Sequence, residues 1–420
     1  MLLKFFLCDK IVIHCKFKMR EDRKEVYMGK KGDVIVVEPT VNRKEKMEKR
    51  NKVIILVVIA IIVTVAAVLI YRYVNRTFND YEVKSSKERN DSKSMNYQSY
   101  NGDKMLKYSN DGITVMDGEG KDVWSAGYNM KNPYVVTRGE YVAIADIGNK
   151  QLVIYDGKGN GKEVEILNPI AMVDISAQGI ATVVLEDEMV NYIRICDGSN
   201  IYAEIKTRIA VDGYPLSVSI SDDARKLVTS YVAVGENEGE NYLTFYNFGE
   251  VGKSYNNKIV RAETLEDEMV PMVRFVNNDE IVAFTDRRIK TYKMKETPEE
   301  LYVSDKFEYN IRSVVYSEER VGVVLDNYKE GKKQLLVYTL SGDEEINLSL
   351  ENEYKDIYAS GKEVIMTTDV GVRIIGRSGK VKFEKKLEER LDYFFPYNNK
   401  DKYILIDENS IELIKLIESK

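Results

Sequence analysis

Hydrophobic and polar positions alternate along this chain in two different ways. Residues 53–71 read Val-Ile-Ile-Leu-Val-Val-Ile-Ala-Ile-Ile-Val-Thr-Val-Ala-Ala-Val-Leu-Ile-Tyr, one apolar run without a charge. At about 1.5 Å per helical residue it extends roughly 28 Å, close to the ~30 Å hydrocarbon core of a bilayer. The run predicts one transmembrane α-helix. From residue 96 onward the apolar residues instead come in short runs of Val, Ile, Leu and Tyr, broken by Gly, Asn and Asp. That is the spacing of strands and tight turns, with no sustained 3.6-residue period. The long C-terminal part reads as all-β.

The strand runs repeat. Tyr141-Val-Ala-Ile-Ala-Asp is followed by Gln151-Leu-Val-Ile-Tyr, Glu280-Ile-Val-Ala-Phe-Thr by Arg288-Ile-Lys-Thr-Tyr, and Lys402-Tyr-Ile-Leu-Ile-Asp by Ser410-Ile-Glu-Leu-Ile. A further run precedes each pair, such as Leu216-Ser-Val-Ser-Ile or Asp392-Tyr-Phe-Phe, and fits an innermost strand. Four strands in about 40 residues is the period of a propeller blade. The copies count to eight, giving an eight-bladed β-propeller; seven blades result if the first and last copies share one. The last copy stops after its third strand, so a strand from the polar segment before residue 96, or from residues 96–101, would have to complete it.

Charge orients the chain. Arg43, Lys44, Lys46, Lys49, Arg50 and Lys52 precede the apolar run, whereas only Arg72 and Arg76 follow closely. Positive flanks stay cytoplasmic, so the N-terminus is expected inside and the propeller outside. Residues 1–52 carry 15 Lys and Arg against 8 Asp and Glu; with the whole chain at −6, the remainder carries −13. An acidic domain is unsuited to nucleic acid, which demands phosphate neutralisation. The expected organisation is a basic cytoplasmic tail over 1–52, mostly disordered and with at most one short strand near 31–39; a transmembrane helix over 53–71; a polar stalk over 72–95; and an extracytoplasmic propeller over 96–420. The normal polar start at Met19, or Met28, is the expected start of translation.

Chemistry is sparse. Cys8 and Cys15 precede the helix and only Cys196 follows it, so the propeller has no internal disulfide. His14 is the only histidine; with Cys8 and Cys15 it matches no familiar zinc spacing. The propeller therefore lacks a Ser-His-Asp or Cys-His arrangement. Gly157-Lys-Gly-Asn-Gly161 lies between strand runs and reads as a hairpin, not a phosphate loop. Acidic pairs such as Glu186 with Glu188 and Glu266 with Glu268 fall in turns. No cofactor or metal is expected. Tyr393, Phe394, Phe395 and Tyr397 cluster at one inner strand; they either pack between blades or form a rim patch for a partner.

The hairpin Ile113-Thr-Val-Met-Asp117-Gly-Glu-Gly120-Lys-Asp-Val-Trp124 resembles the outer hairpin of quinoprotein-like propeller repeats. The resemblance implies structural roles: Asp117 and Gly120 bracket a turn and Trp124 docks between blades. Asp156…Gly159 and Leu340-Ser-Gly342 keep fragments of it. The quinone site does not carry over, because it requires a disulfide. From the apolar run onward the chain is also similar to a family of single-pass, membrane-anchored propellers of Gram-positive anaerobic bacteria. The likeness rests on the basic tail, span, polar segment, Tyr108-Ser-Asn-Asp-Gly-Ile-Thr, Gly120…Trp124 and Asn132-Pro133. That family implies architecture and cell-membrane location, and no activity. The expectation is a non-catalytic binding or scaffold module of the cell envelope, held in the lipid bilayer by residues 53–71, with an envelope protein or glycan as partner. The alternatives are a carboxylate-based glycan hydrolase or lyase, and a sensor signalling through its tail.

Overall fold

The computed structural model describes residues 26–28, 34–36, 43–91, 95–233, 240–329, 331–351, 353–398 and 401–418. Cys8, His14, Cys15 and Met19 lie outside them. The chain divides into two compact units at Val74/Asn75.

In the first unit, helix α1 spans Arg43–Val74. Within it Arg50–Leu69 is long and apolar enough to cross a membrane, with mean hydropathy 3.1 and no residue buried. Thr64 donates its hydroxyl to the Ala60 carbonyl at 2.8 Å, so this polar group has a partner inside the helix. Ahead of α1, Val26–Met28 and Val34–Val36 pair antiparallel. The tail thus holds two short strands where the sequence suggested at most one. Val26-Tyr-Met is too short to stand out by pattern, and becomes a strand only by pairing across the turn.

The second unit is an eight-bladed β-propeller. Eight four-stranded antiparallel blades follow in chain order: 96–127, 133–165, 170–208, 214–266, 272–303, 311–350, 356–386, and 391–418 completed by Phe78–Glu88; one parallel pair, Phe78↔Phe383, joins the last two into a single eight-stranded sheet. We number these blades 1 to 8, with strands a to d from the axis outward. The a strands of blades 2 and 3, 3 and 4, 4 and 5, 6 and 7, and 8 and 1 contact one another at the axis. Their b and c strands read as near-continuous apolar runs because both faces are covered. In Ala181–Glu186, Ala181, Val183 and Leu185 pack toward blade 2, while Val184 packs toward blade 4. The d strands face water. In Gly161–Glu165 only Val164 is buried.

Closure uses the first of the two segments that the sequence offered for it. Phe78–Glu88, read from sequence as part of a polar stalk, is the d strand of blade 8. It pairs antiparallel with Ser410–Glu418 from Phe78↔Glu418 to Glu88↔Ser410, with irregularities after Phe78 and after Val83. Residues 96–101 do not supply it; Asn96–Tyr100 is the a strand of blade 1. The first and last copies therefore form separate blades, and seven is excluded. The strand was illegible because an outermost strand needs few apolar residues: of its eleven, only Phe78 is fully buried.

Both ends of this closing strand are fastened by charge. At its start, Arg76 pairs with Asp401 at 2.8 Å, and Lys382 reaches the same carboxylate at 2.6 Å. The Arg76 and Lys382 cations lie 5.5 and 5.4 Å from the Phe78 ring. Just past its end, Arg89 is 5% exposed and contacts Asp392 at 2.6 Å and Asp91 at 3.3 Å. Asp91 also accepts the Tyr97 hydroxyl at 2.6 Å and pairs with Lys107 at 3.4 Å. Closing the ring removes the lateral openings of the blade stack, which otherwise expose sheet surface to association.

Candidate functional site: the blade seams and the axial channel

Asp117, Gly120 and Trp124 lie on the c–d hairpin of blade 1. The Asp117 carboxylate accepts the Glu119 and Lys121 amides, each at 2.9 Å, and Gly120 closes the turn at φ +76°. Trp124 leaves its own blade and stacks on Tyr155 of blade 2 at 5.4 Å between ring centroids. Its ring also covers Gly159, where an added Cβ would lie 2.8 Å away. The slot recurs around the ring. Tyr302 of blade 5 covers Gly342 of blade 6, Ile346 of blade 6 approaches Gly379 of blade 7, and Lys87 of blade 8 covers Gly120 of blade 1. Lys87 also donates to the Gly120 carbonyl. The closing strand thus makes the contact that the d strands of blades 1, 5 and 6 make.

The aromatic group on the a strand of blade 8 is placed in seams. Phe394 is 2% exposed and stacks on Tyr403 at 5.0 Å. Tyr393 meets Tyr97 of blade 1 at 5.5 Å and Phe395 at 5.9 Å. The Tyr397 ring lies over Gly118. Tyr393, Phe395 and Tyr397 pack against the blade 1–blade 8 cluster of Met105, Met116, Ile404 and Ile406. Phe394 is therefore covered, and the other three pack half-buried between the last blade and the first.

Polar residues that the sequence reading passed over line the channel. Arg138 of blade 2 donates to Asp222 of blade 4 at 2.9 Å and to the Phe275 carbonyl of blade 5 at 3.2 Å, and sits 3.8 Å from Asp174 of blade 3. Asp174 accepts Ser219 at 2.7 Å and the Ile220 amide at 3.0 Å. Ser219 and Ser217 accept the amides of Phe275 and Val273, both at 3.1 Å. Arg274 donates to the Val218 carbonyl at 3.0 Å. Burial opposes its charge, yet Asp174 holds the guanidinium above its ordinary value. One network therefore ties four blades at the axis. The alternating serines of Leu216-Ser-Val-Ser-Ile were the available signal: polar residues recurring on one face of an inner strand.

Among the described residues, chambers lie along the inner strands at both ends of the propeller. At the end carrying the d–a and b–c loops, one of about 490 Å³ is lined by Tyr134, Met172, Leu216, Pro271 and Met272, among others. A neighbour of about 710 Å³ lies between Met272, Ile311, Tyr354 and Asp356. At the a–b turn end, a chamber of about 670 Å³ holds Arg138, Asp222, Glu318 and Glu319. There Asp222 is paired with Arg138, and Glu319 with Lys362 at 3.3 Å. Among the described residues no group of three His, Cys, Asp or Glu side chains is placed to hold a metal ion. Cys196 is a free, buried thiol, pushed up to about 11 by burial.

The fold and seams define the class, an eight-bladed β-propeller closed by a strand from its N-terminal side. The chain belongs to the family of unknown function DUF5711, whose model matches residues 74–416 and so includes the closing strand. No curated protein matches the sequence. Among solved structures it is similar to BamB from Moraxella catarrhalis, at 11% identity and TM-score 0.50, over 80% of this chain and 98% of that one. It is also similar to Porphyromonas gingivalis dipeptidyl peptidase 4, at 14% identity and TM-score 0.52, over 78% of this chain and 59% of that one. Kluyveromyces lactis Hsv2p matches at 13% identity and TM-score 0.42, over 77% and 97%. At these identities the likeness concerns the fold alone.

Proposed function

We propose that this protein is a membrane-anchored binding or scaffold module of the cell envelope, with the N-terminus cytoplasmic and the propeller outside. The observation that carries the reading is the use of the channel's charge. Arg138 holds Asp174 and Asp222 in a network that ties four blades together, and Lys362 neutralises Glu319. These carboxylates support architecture, whereas glycan hydrolysis needs a pair left free for proton transfer and nucleophilic or base work. The span of Arg50–Leu69 and the excess of Lys and Arg before it support the anchor and its orientation. Rigid loops at the propeller ends supply partner surfaces; BamB, whose fold this one resembles, is a precedent for the architecture.

Two measurements test this. Protease added to intact protoplasts should digest the propeller and spare residues 43–52; protection of the propeller overturns the orientation. Photo-crosslinking residues placed across both loop faces of the full-length protein in cells should give discrete protein or glycan adducts. Absence of adducts on every face, together with turnover of an envelope glycan by the purified protein, overturns the non-catalytic reading.

A further inference from the structure

The end of the propeller that carries the d–a and b–c loops exposes apolar side chains, Tyr328 of blade 6 (69% exposed) and Val370 of blade 7 (40%) among them. Over blades 3 to 5 four large apolar side chains stand in solvent: Leu167 (65% exposed), Met189 (66%), Val211 (55%) and Met269 (44%). Their loops are fixed to each other by backbone. Ile209 donates to the Met189 carbonyl at 3.1 Å, and Glu186 to the Pro169 carbonyl at 2.9 Å. Met269 and Asp286 exchange two bonds: the Met269 amide to the Asp286 carboxylate at 3.1 Å, and the Asp286 amide to the Met269 carbonyl at 3.0 Å. The 490 Å³ chamber floored by Met172, Leu216 and Met272 opens at the same end.

The charges on these loops are unbalanced. Arg288 and Lys306 both pair with Glu268, at 2.8 and 3.2 Å, and Arg208 pairs with Asp212 at 3.6 Å. Arg287 pairs with Asp286 at 3.7 Å, so each of these loop cations has a partner. Asp187, Glu188 and Asp267 are exposed, and among the described residues no cation lies within ion-pair distance of them. Apolar side chains set among uncompensated carboxylates suit a partner that buries the former and neutralises the latter. Methionine adapts its shape to such contacts.

We propose that this face of blades 3 to 5 docks a polypeptide segment presenting large apolar side chains between lysines or arginines. The proposal rests on the binding-module reading and specifies its surface and partner chemistry. Met189, Val211 and Met269 receive the apolar side chains, and Asp187, Glu188 and Asp267 receive the cations.

The test uses the full chain in phosphatidylcholine nanodiscs, with empty discs as the baseline. The probe is a short fluorescent peptide with a Leu-Trp centre flanked by lysines. One twin carries glutamates for the lysines, and another carries serines for Leu and Trp. The lysine peptide should bind at least about tenfold more tightly than either twin, and more weakly as salt rises. Both Met189→Ser/Met269→Ser and Asp187→Asn/Glu188→Gln/Asp267→Asn should weaken it about tenfold, a loss typical of removing anchor contacts. Ile201→Ser/Tyr202→Ser, at exposed positions on the opposite end, should leave it unchanged. Circular dichroism melts identify variants that keep the parent fold. Equal binding of the glutamate twin overturns the proposal, as does full affinity in a folded Met189→Ser/Met269→Ser variant. Cellular crosslinks confined to the Ile201 face would overturn this surface while leaving the binding-module reading standing. Absence of crosslinks on every face would remove that reading as well.

Discussion

The Arg89 guanidinium lies 2.6 Å from the Asp392 carboxylate and joins the residue just past the closing strand to the a strand of the blade which that strand completes. Asp91 on the same guanidinium also holds Tyr97 and Lys107 of blade 1. A single cluster therefore fixes the first blade, the last blade and the strand between them. Replacing Arg89 with Met leaves Asp91 and Asp392 without their main counter-charge. The expected cost is about 3 kcal/mol, the scale for breaking a buried ion pair from one side. Urea unfolding of the full-length protein in nanodiscs checks it; a midpoint unchanged from the parent would mean the cluster contributes nothing to closure.

The same cluster gives stability a pH dependence. Burial opposes the Asp91 charge, but the bonds from Tyr97, Lys107 and Arg89 hold its carboxyl below the ordinary value. A depressed carboxyl stabilises the fold above the unfolded value of about 3.9, and that contribution is lost as pH falls through the lower folded value. Melting temperature should therefore drop on the acid side. Asp91→Asn should be less stable at neutral pH and show a shallower acid limb.

Glu412 should behave oppositely. Burial, and then the neighbouring Asp407, push its carboxyl above the ordinary value. Its charged form is the less favoured one in the fold, so its contribution improves as pH falls through the raised value. Glu412→Gln should raise the melting temperature at neutral pH, and the gain should shrink toward acid. A gain independent of pH would point to packing instead of charge.

The Trp124–Gly159 contact separates by a double-mutant cycle. Trp124 is half-buried, so Trp124→Ala should cost about 2 kcal/mol, below the ~3–5 kcal/mol of a full core position. Gly159→Ala should cost more than about 1 kcal/mol, because it meets the ring and forces an L residue to φ +84°. In the Trp124→Ala background the steric part disappears and the φ strain remains, so the two costs should not add. Simple additivity would contradict the packing described.

The seam aromatics predict a stability effect. Phe394→Ala should cost about 3–5 kcal/mol, as expected for a buried ring stacked on Tyr403. Chemical denaturation measures it. A fully stable Phe394→Ala variant would return this position to the candidates for binding.

What could be read from the sequence follows from burial. The b and c strands, such as Ala181–Glu186 and Val190–Asp197, are covered by blades on both sides and announce themselves as repeated apolar runs. The eight copies and the Asp117–Trp124 hairpin were legible for that reason. Phe78–Glu88 was not, because an outermost strand keeps most of its side chains in water and looks like a linker. The channel network was missed because Arg138, Asp174, Asp222 and Arg274 are far apart in sequence, and only the ring brings them together. Composition alone could not say which of Tyr393 to Tyr397 is covered: Phe394 is buried, and its neighbours are half-buried.

Residues 78–88 close the ring in one register. Glu82 and Lys415 are cross-strand partners with exposed side chains. With Cys8 and Cys15 changed to serine, Glu82→Cys/Lys415→Cys should form an intramolecular disulfide on mild oxidation of the folded full-length protein. Glu82→Cys/Glu412→Cys should not, because three residues along a strand displace the thiol by about 10 Å. A disulfide in the first pair and none in the second is the predicted result. Failure of the first pair to cross-link, or equal cross-linking of both, would contradict closure by this strand.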